Sequence, residues 1–348
     1  MAAVPSVGVL AQFGLSAFGT DSVTPYALGS PPSIANAFEF LNESLTTEQE
    51  VIRTEGIRGT RLHPAERVRQ GRIIPGGSVS MQPTYAEMVQ LLPRIFGVGT
   101  ANTGYTVYAI AEKTGQVTLP AGVPGGSTFT WSSLPQYFRA SVDRVAKVYV
   151  YDNAKVNRAT LRSAPGQPLD VTLEIEALTE AVNNAGTFPS LTVSATAPFV
   201  FHDAVITLGG TVYQVLELET TIDWHLKTDR FANSQTRTDL VSLDCTVATR
   251  FTVPFTSDTA ALYNASAWAG GVPQTYPYGI TGVANFSWGG AGLGAAGVSL
   301  ALYYGNLIFP AKKSPAVQSK DEIGMVLEGE ARGAGTVTPL ACVLDSTP

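Results

Sequence analysis

Six consecutive residues, Gly292-Leu293-Gly294-Ala295-Ala296-Gly297, fit the G-x-G-x-x-G spacing that cradles a dinucleotide pyrophosphate. That chemistry needs a helix amino end after the loop and an acid about 20 residues further on. A strand pattern follows instead and the acid is missing, so the segment reads as a loop. His63, His202 and His225 are scattered. His202-Asp203 and the Asp223/His225 pair have the donor types of a metal site, but lone histidines of this kind are more often satisfied strand or surface residues. Cys245 and Cys342 stand in no C-x-x-C spacing, and no G-x-S-x-G elbow is present. The chain is therefore expected to be no enzyme, with no catalytic, cofactor or metal residues.

The charged residues that remain fall into patterns that suit contacts between subunits. Arg53, Arg58, Arg61, Arg67, Arg69 and Arg72 crowd a stretch broken by glycines and Pro64, which reads as an extended loop. Gly76-Gly77 then opens a short alternating run, Ser78 to Gln82. Thr84 with Glu87 matches a capping box, and Met88, Leu91, Leu92 and Ile95 follow at helical spacing. Gly97 suits the C-terminal stop, and Pro93 is expected to end or kink the helix early.

Elsewhere the period is two. Leu169, Val171, Leu173, Ile175 and Ala177 alternate with Asp170, Thr172, Glu174 and Glu176. Leu216, Leu218, Ile222, Trp224 and Leu226 oppose Glu217, Glu219, Asp223, His225 and Lys227. Leu243, Cys245, Val247, Phe251 and Val253 oppose Asp244, Thr246, Arg250 and Thr252. Such alternation gives each sheet one packed and one wet face, so the fold class is mainly antiparallel β with short helices. Gly209-Gly210 reads as a hairpin turn. Val298–Tyr304 and Leu307–Phe309 read as two strands joined at Gly305-Asn306.

Charged residues make up 14% of the 348-residue chain, against roughly 25% in an ordinary soluble domain, while 45% are hydrophobic. This balance suits a surface partly covered by neighbours, or a compact sandwich rich in Thr and Ser. The net charge of −6 argues against a simple nucleic-acid binder, which needs a basic footprint. Thr259 to Ala311 carries no charge, yet its prolines, asparagines and glycines make a poor membrane span, so no membrane partner is expected. The first 36 residues make a poor signal peptide and are expected to form an assembly arm.

The order of elements also suggests a duplication at an offset of roughly 155 to 175 residues. A strand and helix at Ser78 and Thr84 are answered by a strand at Thr246–Val253 and a short helix from Ser257. Strands at Ala146–Tyr151 and Leu169–Ala177 are answered at Val298–Phe309 and Gly324–Ala331. The expected units are an arm at 1–36, a first domain at 37–185 and a second at 186–348.

Three stretches resemble the major tail tube proteins of long-tailed bacteriophages. They are EGIRGTR with PGGSVSMQPT and a helix ending LLPRIFG, then YVYDNAKVNRATLRSAPGQPLDVTLEIEA from Tyr149, and FVFHDAVITLGG from Phe199. The resemblance implies tandem β-barrel or sandwich domains whose strands join a continuous inner barrel in a ring, stacked rings forming a conduit for DNA. Duplication favours a ring of three copies with pseudo-sixfold symmetry, a hexamer being the alternative, and a non-contractile tail. A tape measure protein and a tail terminator are the further partners implied, with location in the virion tail after assembly in the host cytoplasm. Glu174, Glu176, Glu217, Glu219 and Asp223 become candidates for a lumen lining past which DNA slides, or else mark the wet outside of an ordinary sheet. The six arginines become candidates for contacts between rings or subunits, through forks that suit carboxylates, or else a solvated loop. A tube-like effector-delivery protein and a monomeric β-sandwich binding module or glycosidase are the competing readings.

Overall fold

A computed structural model describes residues 11–17, 21–28, 30–53, 68–97, 99–111, 118–124, 135–183, 188, 197–257, 259–260, 279–288, 297–309 and 323–345. The first half runs through β1 (Gln12–Ser16), β2 (Ile34–Phe38), β3 (Asn42–Glu43), β4 (Thr46–Arg53) and β5 (Val68–Met81) to α1 (Tyr85–Phe96). It continues with β6 (Thr100–Ala101), β7 (Tyr105–Ile110), β8 (Phe138–Asp143), β9 (Val148–Ser163), β10 (Asp170–Glu176) and β11 (Thr179–Asn183). The second half holds β12 (Ala204–Leu208), β13 (Thr211–Tyr213), β14 (Glu217–Asp223), β15 (Leu226–Lys227), β16 (Val241–Ser242) and β17 (Thr246–Pro254). β18 (Gly279–Trp288), β19 (Val298–Ile308), β20 (Gly324–Ala331) and β21 (Leu340–Asp345) complete it. The fold is mainly β, as the alternation requires, and sandwich-like; among the described residues of one chain the sheets do not close into a barrel.

One antiparallel sheet runs β4-β5-β10-β9-β14-β17-β20-β19, and its second four strands repeat the order of its first four. β4 corresponds to β14, β5 to β17, β10 to β20 and β9 to β19. The second layer repeats as well: β2-β1-β8-β9-β11 in one half, β13-β12-β18-β19-β21 in the other. With the halves so aligned, Leu173-Glu174-Ile175-Glu176-Ala177 matches Leu327-Glu328-Gly329-Glu330-Ala331. β9 serves both layers. It bends at Asn153, whose φ is 51°; Val148–Asp152 pairs with β8 and β11, Ala154 still faces Phe138 of β8, and Lys155 onward pairs with β10 and β14.

Between the layers lies one apolar core, including Val79, Met81, Leu173, Ile175, Ile222, Phe251 and Leu302. α1 plugs one end with Met88, Leu91, Leu92, Ile95 and Phe96, all fully buried. Its start is capped as expected: the Glu87 carboxylate accepts from the Thr84 amide at 2.7 Å and from the Thr84 hydroxyl at 3.0 Å. Pro93 does not stop it. The helix runs on to Phe96, and Gly97, at φ 91°, donates back to the Pro93 carbonyl at 2.8 Å.

Three further expectations are corrected. Gly305 makes no turn, and β19 passes straight through it. Its N–H donates to the Pro339 carbonyl at 2.8 Å, and a Cβ there would lie 2.3 Å from the Thr338 carbonyl oxygen, so glycine serves a close backbone approach. Within the segment expected as an arm, Gln12–Ser16 is a core strand between β2 and β8, with Phe13 and Leu15 fully buried. Arg69 and Arg72 lie in β5, and Arg53 ends β4, rather than in a loop. The turn at Gly209-Gly210 forms, both residues having positive φ. In the second helix, Ser257, Thr259 and Ala260 are helical and the rest of that expectation lies outside the described residues, as does G-x-G-x-x-G up to Ala296.

Candidate functional site

The sheet that spans both halves has one packed face and one charged face. Register carries side chains of like parity to the same face, and here it aligns acids and arginines in alternating columns. Glu174 on β10 sits opposite Arg158 on β9, which sits opposite Asp223 on β14. Two residues along, Thr172, Thr160 and Thr221 form a neutral row, extended by Ser80 on β5. Beyond it, Asp170, Arg162, Glu219, Arg250 and Glu328 align across five strands.

The arginines are held by the acids around them. Arg158 reaches Glu174 at 3.2 Å and Asp223 at 2.7 Å; Arg162 reaches Glu217 at 2.6 Å. Arg250 stands 4.0 Å from Glu328. The hydrogen bond to Asp223 is the largest influence raising the Arg158 pKa, and that to Glu217 does the same for Arg162. Burial pushes Asp223 up, but the His225 amide and Arg158 outweigh it and hold the carboxyl below its usual value. Carboxylates outnumber guanidiniums along these rows, where Asp170, Glu174, Glu219, Asp223 and Glu328 stand against Arg158, Arg162 and Arg250. Beside Arg250 a shallow groove opens between Thr221, Ala248, Glu328 and Glu330.

The five candidate lining acids thus fall on one face, though not on equal terms. Glu174, Glu217 and Glu219 are half-exposed there, while the Asp223 side chain is only 11% exposed beneath Arg158. Glu176 is diverted to the chain's own packing. Its carboxylate accepts from the nearly buried Arg237 at 2.6 Å, fixing the connection between β14 and β17 against the first half. Reading each strand by itself reveals the acids and Arg250 but not Arg158 and Arg162 between them, because only the register shows that they interleave.

Of the six arginines, Arg53, Arg69 and Arg72 are exposed on the β4–β5 hairpin, and Arg58, Arg61 and Arg67 lie outside the described residues. Arg72 makes a fork with Glu50 and lies over the Phe231 ring, 5.3 Å from its centroid. The hairpin extends past the sheet and leaves Val51, Ile52 and Val68 exposed at 54%, 55% and 47%.

The halves are joined by more than the β9–β14 ladder. Lys155 donates to the Leu240 carbonyl at 2.8 Å and stacks on Tyr137, burial lowering its pKa to about 8. Ile73 donates to the Gln235 carbonyl at 2.8 Å, and Trp224 Nε1 to the Ile95 carbonyl at 2.8 Å. β7, from the first half, extends the second half's sheet at β21. A charged sheet face to which both halves contribute is a surface for lining or covering, and the groove beside Arg250 is shallow.

A family model described as phage tail tube protein matches residues 8–331. The chain belongs to that family. It is a structural protein of the virion tail and not an enzyme, and tail tube proteins assemble with themselves into a tube. No curated protein matches the sequence. His225 contacts Asp244 at 2.9 Å and His202 lies 3.5 Å from Asp203, and among the described residues of this tube protein no group of three or more His, Cys, Asp or Glu could hold a metal. Nor is any helix among them long and apolar enough to cross a membrane.

Proposed function

We propose that this tube protein polymerises as stacked rings of three copies, each copy supplying two tube domains, so that a pseudo-sixfold wall encloses a conduit for DNA. The observation that carries the reading is the sheet β4-β5-β10-β9-β14-β17-β20-β19, in which one strand order occurs twice along one continuous face. A domain division near residue 185 agrees with that repeat, β1 and β2 joining the first domain as counterparts of β12 and β13.

The charged face is the lining. Its acids repel phosphate, and among the described residues Arg158, Arg162 and Arg250 each stand against a carboxylate, which weakens their capture of a duplex by counterion release. Glu174, Glu217 and Glu219 then face the bore. Arg53, Arg58, Arg61, Arg67, Arg69 and Arg72 serve contacts between rings, the exposed position of Arg53, Arg69 and Arg72 supporting this. Strands of successive copies complete an inner barrel that closes only in the ring. The tube is of the non-contractile kind, assembles in the host cytoplasm, and meets a tape measure protein and a tail terminator at assembly.

Electron microscopy of the concentrated protein, with rotational averaging of end-on views, tests this. Hollow tubes with three-fold modulated rings are expected. Six identical wall units from six copies would keep the tube and overturn the fused-domain ring. Compact monomers under all conditions would overturn the tube.

A further inference from the structure

Among the described residues, two sheet edges of the first half are unpaired, and their counterparts in the second half are both occupied. β4 pairs only with β5, and β11 only with β9, among the described residues. Their counterparts β14 and β21 are paired on both sides, and in each case the second partner comes from the first half: β9 beside β14, and β7 beside β21. The first half thus uses one flank to cover two edges of the second half. The same two edges of the first half itself stay open.

The open edges form one surface. The Thr47 hydroxyl on β4 donates to the Glu180 carboxylate on β11. Pro75, opposite Thr47, has no N–H, so Thr47↔Pro75 is a non-hydrogen-bonded pair. Thr47 and Gln49 therefore turn their own N–H and C=O away from β5. Ile73, opposite Gln49, agrees, since its N–H points away from β4 to Gln235. By the alignment of the halves, Thr47 stands where Ile222 stands on β14, and Ile222 pairs with Ala159 of β9. Unpaired edges of this kind are templates for another strand.

We infer that the free edges of β4 and β11 together are the docking surface for the second half of another copy, which repeats between copies the contact that joins the two halves within one chain. The inference rests on the ring reading and adds the edges and the register through which the ring closes. It also gives the ring a direction, because among the described residues the first half offers these edges while the matching edges of the second half are covered.

Hydrogen exchange on monomers and on assembled rings tests it, together with the variant Gln49→Pro. The variant removes an outward N–H and no bond to β5, so the monomer should melt as the wild type does. In rings, peptides covering β4 and β11 should exchange at least about tenfold more slowly than in monomers, with β13, which among the described residues pairs only with β12, unchanged. Gln49→Pro should raise the concentration needed for assembly on the order of tenfold or more. Rings in which β4 and β11 exchange as in the monomer would overturn the inference while leaving the ring intact. If Gln49→Pro proves misfolded, exchange on the wild type decides alone. Failure of the wild type to form rings at all would overturn both readings.

Discussion

The Arg158 guanidinium on β9 reaches the Asp223 carboxylate on β14 at 2.7 Å, and so ties the two halves of the chain across their shared sheet. The same guanidinium holds Glu174 on the other side at 3.2 Å. One side chain thereby connects three strands drawn from both repeats.

Replacing Arg158 with Met should lower unfolding free energy by about 1–2 kcal/mol, because it leaves a mostly buried carboxylate with its amide partner alone. Asp223 titrates below its usual value in the folded chain, so its contribution is present at neutral pH and is lost as pH falls below about 4. Urea midpoints measured from pH 7 to pH 3 should fall less steeply for Arg158→Met than for the wild type.

Reversing charge on the proposed lining should turn a sliding surface into a sticky one. Tubes of Glu219→Lys combined with Glu328→Lys are expected to retain duplex DNA at low salt and to release it as salt rises. Wild-type tubes should retain none. Co-sedimentation across a salt series is the measurement, and equal retention by both would remove this face from the lumen.

Arg94 and Asp21 form a fully buried pair with a 3.1 Å contact, and Arg94 also donates to the Ser16 carbonyl at 2.6 Å. Removing one partner strands a buried charge. Asp21→Ala should cost about 3–5 kcal/mol at neutral pH, whereas adding Arg94→Met should recover a large part of that loss. Chemical denaturation of both single variants and the double variant gives the coupling directly.

Lys155 offers a window on the alkaline side. Its pKa is about 8 when folded and 10.5 in its ordinary state, so between these values the unfolded chain binds the extra proton and stability gains a component that rises with pH. Burial pushes the Tyr137 and Tyr151 hydroxyls up, which acts the other way above pH 10. The difference between wild type and Lys155→Met, followed by thermal melts from pH 7 to 10, isolates the lysine.

The parts legible in the sequence are those with local signatures. Thr84 and Glu87 lie three residues apart and mark the helix start unaided, and alternation along Asp170–Glu176 and Glu217–Asp223 fixes which side chains share a face. What escaped depends on partners far along the chain. β1 is five residues with little alternation of its own, and it is a strand because β2 and β8 flank it. Arg94 falls among the apolar residues of α1, and what lets a charge be buried there is Asp21, 73 residues away. Gly305 carries the sequence mark of a turn, yet what requires it is the backbone near Thr338, which no local pattern announces.

The doubling of one strand order within a single chain frees its two copies from having to be alike. In an assembly of identical single units, every substitution appears at every position of the wall. Here β5 and β17 occupy matching places, yet one presents Ser78 where the other presents Arg250, and β10 and β20 keep their glutamates while Thr172 has become Val326. In the proposed ring, mutation can therefore tune alternate staves of the wall separately. The contact between the two copies, meanwhile, forms at a local concentration that dilution cannot lower.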